Sequence, residues 1–258
     1  MTVPARFKAA ALLLFCAALL FVPHGAWAQA LTLDLGGESE GTVSGRIIQM
    51  VALLTVLSLA PSIMIMMTAF TRIVVVLSFL RTAMGVQQTP PNTVIISLAL
   101  FLTFFVMSPT LKAAYENGVQ PLVAGEIEEV EAFDRTVAPF RAFMLSHVRE
   151  NDLTLFSDMS GEGPFASAQD VPLHVIVPAF MISELRRAFE IGFMIFLPFV
   201  IIDMVTASIL MSMGMMMLPP VMISLPFKIV FFVLVDGWYL ICGSLIQSFN
   251  SVPATPAG

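Results

Sequence analysis

Apolar residues in this chain fall in long blocks, and the few polar residues between them mark the boundaries. Residues 47–71 carry no charge. A spanning helix needs about 20 apolar residues, so Ile47 to Phe70 predicts a full-length span with a kink site at Pro61. The next run, Val94 to Met107, stops at Ser108-Pro109 and is short for a span. The C-terminal third is apolar again but broken by charge and proline. Pro178 precedes the polar cluster Ser183 to Arg187, and Ile191 to Ile202 stops at Asp203. Met204 to Leu218 ends at Pro219-Pro220, and Leu225 to Phe249 contains Lys228 and Asp236. The pattern predicts an all-α, membrane-associated fold of four main apolar segments in two helical hairpins, 47–109 and 173–250. No internal repeat of the kind that builds solenoids or propellers is present.

The remaining segments differ in kind. Residues 1–28 read as a cleavable leader. Arg6 and Lys8 open it, Ala9 to Val22 is its apolar core, and Ala26-Trp27-Ala28 sets cleavage between Ala28 and Gln29. Residues 29–46 form a short polar tail, expected outside the cytoplasm, and 251–258 a second tail. Residues 110–172 form an acidic insert. From 110 to 170 it holds 11 acidic and four basic residues. Within it Ile127, Val130, Phe133, Val137, Phe140, Phe143 and Met144 recur at helical spacing. That stripe predicts a helical packing face, interrupted at Pro139.

Composition narrows the class. Hydrophobic residues make up 58% of the chain and charged residues 12%. A soluble domain carries about 25% charged residues. A net charge of −6 without a basic cluster excludes a nucleic-acid surface. Of the two cysteines, Cys16 lies in the leader, so Cys242 is left without an internal disulfide partner. Arg72 and Arg81 give the first connection positive charge without any acid, which orients it to the cytoplasm and places residues 110–172 in the periplasm.

Charges inside apolar runs must face protein or water, because each costs about 2.5–3.5 kcal/mol at the bilayer centre. Asp203 precedes Pro219 by the same sequence distance as Asp236 follows Pro220. Both are expected about 24 Å from the turn, and Lys228 only about 12 Å from it. This count leaves Lys228 poorly placed to neutralise either acid within its own hairpin and suggests pairing between subunits. Glu184, Arg187 and Glu190 recur at spacing three, and Arg186 to Glu190 at spacing four. They form either a locally neutralised helix or an intersubunit charge belt.

Met211-Ser212-Met213-Gly214-Met215-Met216-Met217 ends the third apolar segment. Methionine fills irregular gaps, so the run is either core filler or a compliant apolar seal. Several copies around an axis would form a ring that excludes water and ions. Gly214 allows the backbone to leave helical geometry there.

Enzyme chemistry has little support. Beyond the leader only His147 and His174 remain, without a nucleophile constellation, a phosphate-binding glycine loop or metal-ligand spacing. No cofactor is implied. An ion-coupled transporter is the alternative that Asp203, Lys228 and Asp236 permit, but the internal repeat of many transporters is missing. A pure assembly scaffold is the third reading.

Two long stretches are diagnostic. Phe70 to Pro109, FTRIVVVLSFLRTAMGVQQTPPNTVIISLALFLTFFVMSP, resembles the signature of the FliP family of membrane export-gate proteins. The stretch DMVTASILMSMGMMMLPPVMISLPFKIVFFVLVDGWYLICGSLIQSF resembles its second signature block, and ISELRRAFEI adds to the likeness. The resemblance implies a ring of about five copies, closed by cyclic symmetry. It implies FliQ-like and FliR-like gate subunits, and FlhA- and FlhB-like export components. It places the chain in the bacterial inner membrane, within the flagellar basal body and largely on the periplasmic side. The implied function is a core subunit of the flagellar export gate, with a pore for unfolded proteins. The family's methionine gasket would fall on Met215, Met216 and Met217, with Met213 close by. A virulence-type secretion system is the alternative setting.

Overall fold

The computed structural model describes residues 43–86, 88–161, 165, 170–215 and 218–250. The leader with Ala28 and Gln29, the tail up to position 42, Met216 and Met217 lie outside the described residues. The chain divides at Met50 into two units. The described part of the first is the beginning of helix α1, Val43–Met66. The second unit, from Val51 on, carries the elements that follow.

Every regular element among the described residues is helical. Helix α1 continues through position 61 and ends at Met66, so the break falls not at Pro61 but at residues 67–69. Thr68 stabilises it: its hydroxyl donates to the Ile65 carbonyl at 2.9 Å and accepts the Phe70 N–H at 3.4 Å. Groups that a helix end would orphan are thereby satisfied. Leu53, Leu54, Leu57 and Ile63 are exposed on α1. The Thr55 and Ser58 hydroxyls turn back onto the helix backbone, so this stretch shows an apolar surface.

Helix α2, Phe70–Ala83, is the central element. Ile73, Val76, Leu77 and Leu80 are fully buried on it, mainly against the long helix α7, Leu173–Ser212. The sequence pattern reads most of α2 as a connection. Helix α3, Asn92–Ala114, is likewise longer than its apolar run predicts, because it passes through Pro109. It continues in a π-helical turn, Tyr115–Val119, and the short helix α4, Gln120–Val123. The turn brings Gly118 against helix α5, Glu129–His147, where a Cβ would lie 2.1 Å from the Thr136 hydroxyl. Only glycine fits that approach.

Pro139 does not interrupt α5. A mid-helix proline costs about 3 kcal/mol. Phe140 and Met144, buried immediately after it, each return about 1.5–3 kcal/mol, so packing outweighs the lost bond. The predicted stripe divides, however: Phe140 and Met144 are buried while Val130 and Phe133 are exposed. Helix α6, Glu150–Ser160, follows and ends at Gly161, whose φ of 70° is left-handed. Helices α5 and α6 pack against α7. One core joins Ile73, Leu77, Met107, Met144, Ile176, Phe180 and Leu245.

Helix α7 is 40 residues long and passes through Pro178 and Pro198. At 1.5 Å per residue it spans about 60 Å, twice the hydrocarbon thickness of a bilayer. Helices α8, Pro220–Leu234, and α9, Gly237–Asn250, meet at 62°. Asp236 occupies the bend with a φ of 51°, and a Cβ on Gly237 would lie 2.1 Å from the Phe232 ring. Among the described residues two helices, α3 with its continuation and α7, are long and apolar enough to cross a membrane, or up to four spans if each bent pair counts as one.

Candidate functional site: buried charges beside a methionine turn

Arg72 sits in the first turn of α2, not in a loop, and is 1% exposed. Its Nε donates to Glu184 Oε2 at 2.8 Å, and Nη2 donates to Oε1 of the same carboxylate. Nη1 donates to the Ser248 hydroxyl at 3.0 Å, and the guanidinium lies 3.8 Å over the Phe249 ring. A two-pronged arginine–carboxylate pair fixes orientation as well as charge. It pins α2 to α7, and the Ser248 and Phe249 contacts add α9. Glu184 therefore pairs with a residue 112 positions away, not with its helical neighbours. Of those, Arg186 and Glu190 form an exposed pair at 2.9 Å, and Arg187 is half-buried. Arg81 also has a structural partner. Its Nη1 donates to the Asn92 side-chain oxygen and to the Pro90 carbonyl, tying the end of α2 to the start of α3.

His147 closes the same core from α5. Its Nδ1 lies 2.8 Å from the Phe143 carbonyl and its Nε2 3.2 Å from the Phe249 carbonyl. Burial pushes its pKa below the ordinary imidazole value, while the two carbonyls and Glu184 oppose that fall.

The second buried cluster joins α7 and α8. Lys228 Nζ lies 2.6 Å from Asp203 Oδ2 and 3.4 Å from the Ala83 carbonyl at the end of α2. The Ser224 hydroxyl donates to Asp203 Oδ1. Lys228 is buried, and Asp203 is half-buried. This overturns the expectation that Lys228 lies too near the turn to reach Asp203. Helix α7 ends at Ser212, so Asp203 is about 14 Å from its end and Lys228 about 12 Å into α8. Helix α7 stops at Ser212 and α8 starts at Pro220, so counting helical rise from Pro219 overstates the height of Asp203. Asp236 is not at that height at all: it is exposed at the α8–α9 bend. Among the described residues, no buried side-chain nitrogen or oxygen lacks a partner.

Met213 and Met215 lie just past the end of α7. Met215 N–H bonds to the Leu210 carbonyl and Gly214 N–H to the Met211 carbonyl, both at 3.0 Å. Gly214 has a φ of 77°. This double closure around a left-handed glycine is the Schellman ending of a helix. Pro220 then starts α8 with a preset φ. Met213 is 63% exposed and Met215 37%. The α2–α3 turn lies beside the base of this hairpin, since a Cβ on Gly85 would lie 3.3 Å from Leu225 and 3.9 Å from Lys228 Nζ.

Sequence reasoning missed Ser224, Ser248 and Phe249. Ser224 carried a usable signal, because it is four residues before Lys228 and shares its helix face. Ser248 and Phe249 carried none, since only the packing of α9 brings them to Arg72.

The comparisons with known proteins cover most of the chain. The flagellar biosynthetic protein FliP of Caulobacter vibrioides is 56% identical over 234 residues, covering 90% of this chain and 87% of that one. The protein of the same name from Bacillus subtilis is 58% identical over 217 residues, covering 84% and 98%. That from Aquifex aeolicus is 49% identical over 205 residues, covering 79% and 86%. The FliP family model matches residues 53–245, a stretch that runs from α1 into α9 and takes in the Arg72–Glu184 and Asp203–Lys228 pairs and the methionine run. The chain belongs to the FliP family.

Proposed function

We propose that this chain is a core subunit of the flagellar type III export gate, present as about five copies around a cyclic axis. One observation carries the reading. A methionine-bearing segment that begins at the Gly214 closure of α7 is mounted on a hairpin whose helices are locked by the Asp203–Lys228 pair. A compliant apolar turn on a rigid stem suits a seal that yields to a passing chain and then closes. Met213, Met215, Met216 and Met217 form that seal. FliQ-like and FliR-like subunits complete the gate, and FlhA- and FlhB-like components adjoin it in the bacterial inner membrane. The acidic insert faces the periplasm, and unfolded flagellar proteins pass through the ring. The chain's role is structural, without catalysis.

The ion-coupled transporter alternative relies on Asp203 as a free acid. Here Oδ2 is held by Lys228 and Oδ1 by Ser224, which counts against it. Conductance decides the matter. The complex, co-expressed with its FliQ-like and FliR-like neighbours, is placed in planar bilayers. Replacing Met215, Met216 and Met217 with Ala opens a small-ion leak if they seal a pore. An unchanged baseline in an assembled complex of about five copies overturns the seal.

A further inference from the structure

Helix α2 ends against the base of the α7–α8 hairpin. Gly85 closes it with a φ of 78°, and a Cβ there would lie 3.3 Å from Leu225 Cδ1. Carbon atoms attract best at about 3.5–4.0 Å, so only glycine gives both the left-handed backbone and this approach without strain. The α2–α3 turn is itself stiff. Arg81 ties it to Pro90 and Asn92. Val86 packs with Leu80, Met84, Phe199 and Phe232 in a second, smaller core.

The hairpin beyond this base has a different character. Its two arms run about 12–14 Å further, from Asp203 to the end of α7 and from Lys228 back to Pro220. Met204, Val205, Ile209, Val221 and Met222 on these arms are exposed. Within the chain, the base therefore sets where the methionine run stands. Lys228 is fixed by Asp203 and by the Ala83 carbonyl, which makes it a pivot. Along α8, Leu225 lies about 4.5 Å from that pivot and Pro220 about 12 Å. A displacement at Leu225 is magnified roughly 2.7-fold at the start of α8, where the methionine run joins it.

We propose that the α2–α3 turn is a brace that holds the methionine seal in position, with Gly85 and Leu225 as positioning residues. The inference rests on the seal proposed above. Gly85 leaves room for Leu225, and Leu225 stops α8 from tilting toward the turn. Both act through the methionine run rather than on the exported chain.

The test is small-ion conductance of the co-expressed complex in planar bilayers. The variant with Met215, Met216 and Met217 replaced by Ala serves as the leaking reference. Leu225→Ala removes the stop. Leu225 is half-buried, and losing half a leucine's burial shifts a closed–open equilibrium by about four- to tenfold. The leak should rise by that factor. Gly85→Asn tolerates the left-handed backbone and pushes on Leu225, so it should leak as well. The double variant is decisive. Its asparagine extends past Cβ about as far as the truncated side chain recedes, so the contact re-forms. Its leak should return to within about twofold of the wild type, the sign of two residues in direct contact. The mass of the detergent-purified complex is expected to be unchanged in all three variants. A merely destabilised complex would lose particles instead, without leak from those that remain. A wild-type baseline in assembled Leu225→Ala complexes, while the methionine variant leaks, overturns the brace and spares the seal. A double variant that leaks as much as the single ones, or loss of the particle in both single variants, overturns it too. A methionine variant that does not leak removes the seal and the brace with it.

Discussion

Replacing Arg72 with Met isolates the most deeply buried charge pair in the described chain. The side chains of Arg72 and Glu184 are 1% and 0% exposed. Removing one partner leaves the other charge buried without compensation, which costs about 3–5 kcal/mol. For a domain of this size each kcal/mol moves Tm by about 2–4 °C, so Arg72→Met is expected to lower Tm by roughly 6–20 °C. Glu184→Leu should cost a similar amount. The double variant removes both charges, and an apolar replacement of a buried pair is often neutral or better. It also loses the Ser248 hydrogen bond and the Phe249 stacking, so it should fall within about 2 kcal/mol of the wild type. The cycle therefore gives a coupling of at least about 4 kcal/mol. Thermal unfolding of the four proteins in one mild detergent measures it. Single effects that add to within about 0.5 kcal/mol would overturn this account, because they would show that neither charge depends on the other.

Three further outcomes follow from the packing. Lys228→Met leaves the half-buried Asp203 with the Ser224 hydroxyl as its remaining partner and should cost about 1–3 kcal/mol, with Asp203→Asn restoring much of it in the double variant; thermal unfolding reads both. His147 is held neutral by burial, with a folded pKa below its unfolded value, so the native state binds fewer protons. Its stabilisation is present above the unfolded value near 6.5 and is lost as pH falls from there toward the folded pKa; His147→Phe should flatten that part of the stability–pH curve. Gly118→Ala forces a Cβ into Thr136 and should cost about 1–3 kcal/mol, with Thr136→Ala giving partial rescue in the same assay.

The class of this protein and the position of its methionine turn are legible in the order of its residues. Long apolar blocks with few charges, too long for strands, satisfy their backbone within lipid as helices. Met213-Gly214-Met215 before Pro219-Pro220 marks a helix end through glycine and proline chemistry alone, and the structure closes the turn at Gly214. These are local effects, set by residues within a few positions of one another.

The partners of the buried charges Arg72 and Lys228 and the fate of Pro139 were settled by packing between helices. Arg72 reads as a loop charge because its partner Glu184 is 112 residues away, and spacing along a helix cannot reveal a contact between helices. Lys228 reads as stranded because helical rise is counted beyond Ser212, where α7 ends. Pro139 reads as a break because its lost hydrogen bond is visible in sequence, whereas the burial of Phe140 and Met144 that offsets it is not. In each case the deciding energy is the desolvation and packing of groups remote in sequence, and that energy exists only once the helices have met.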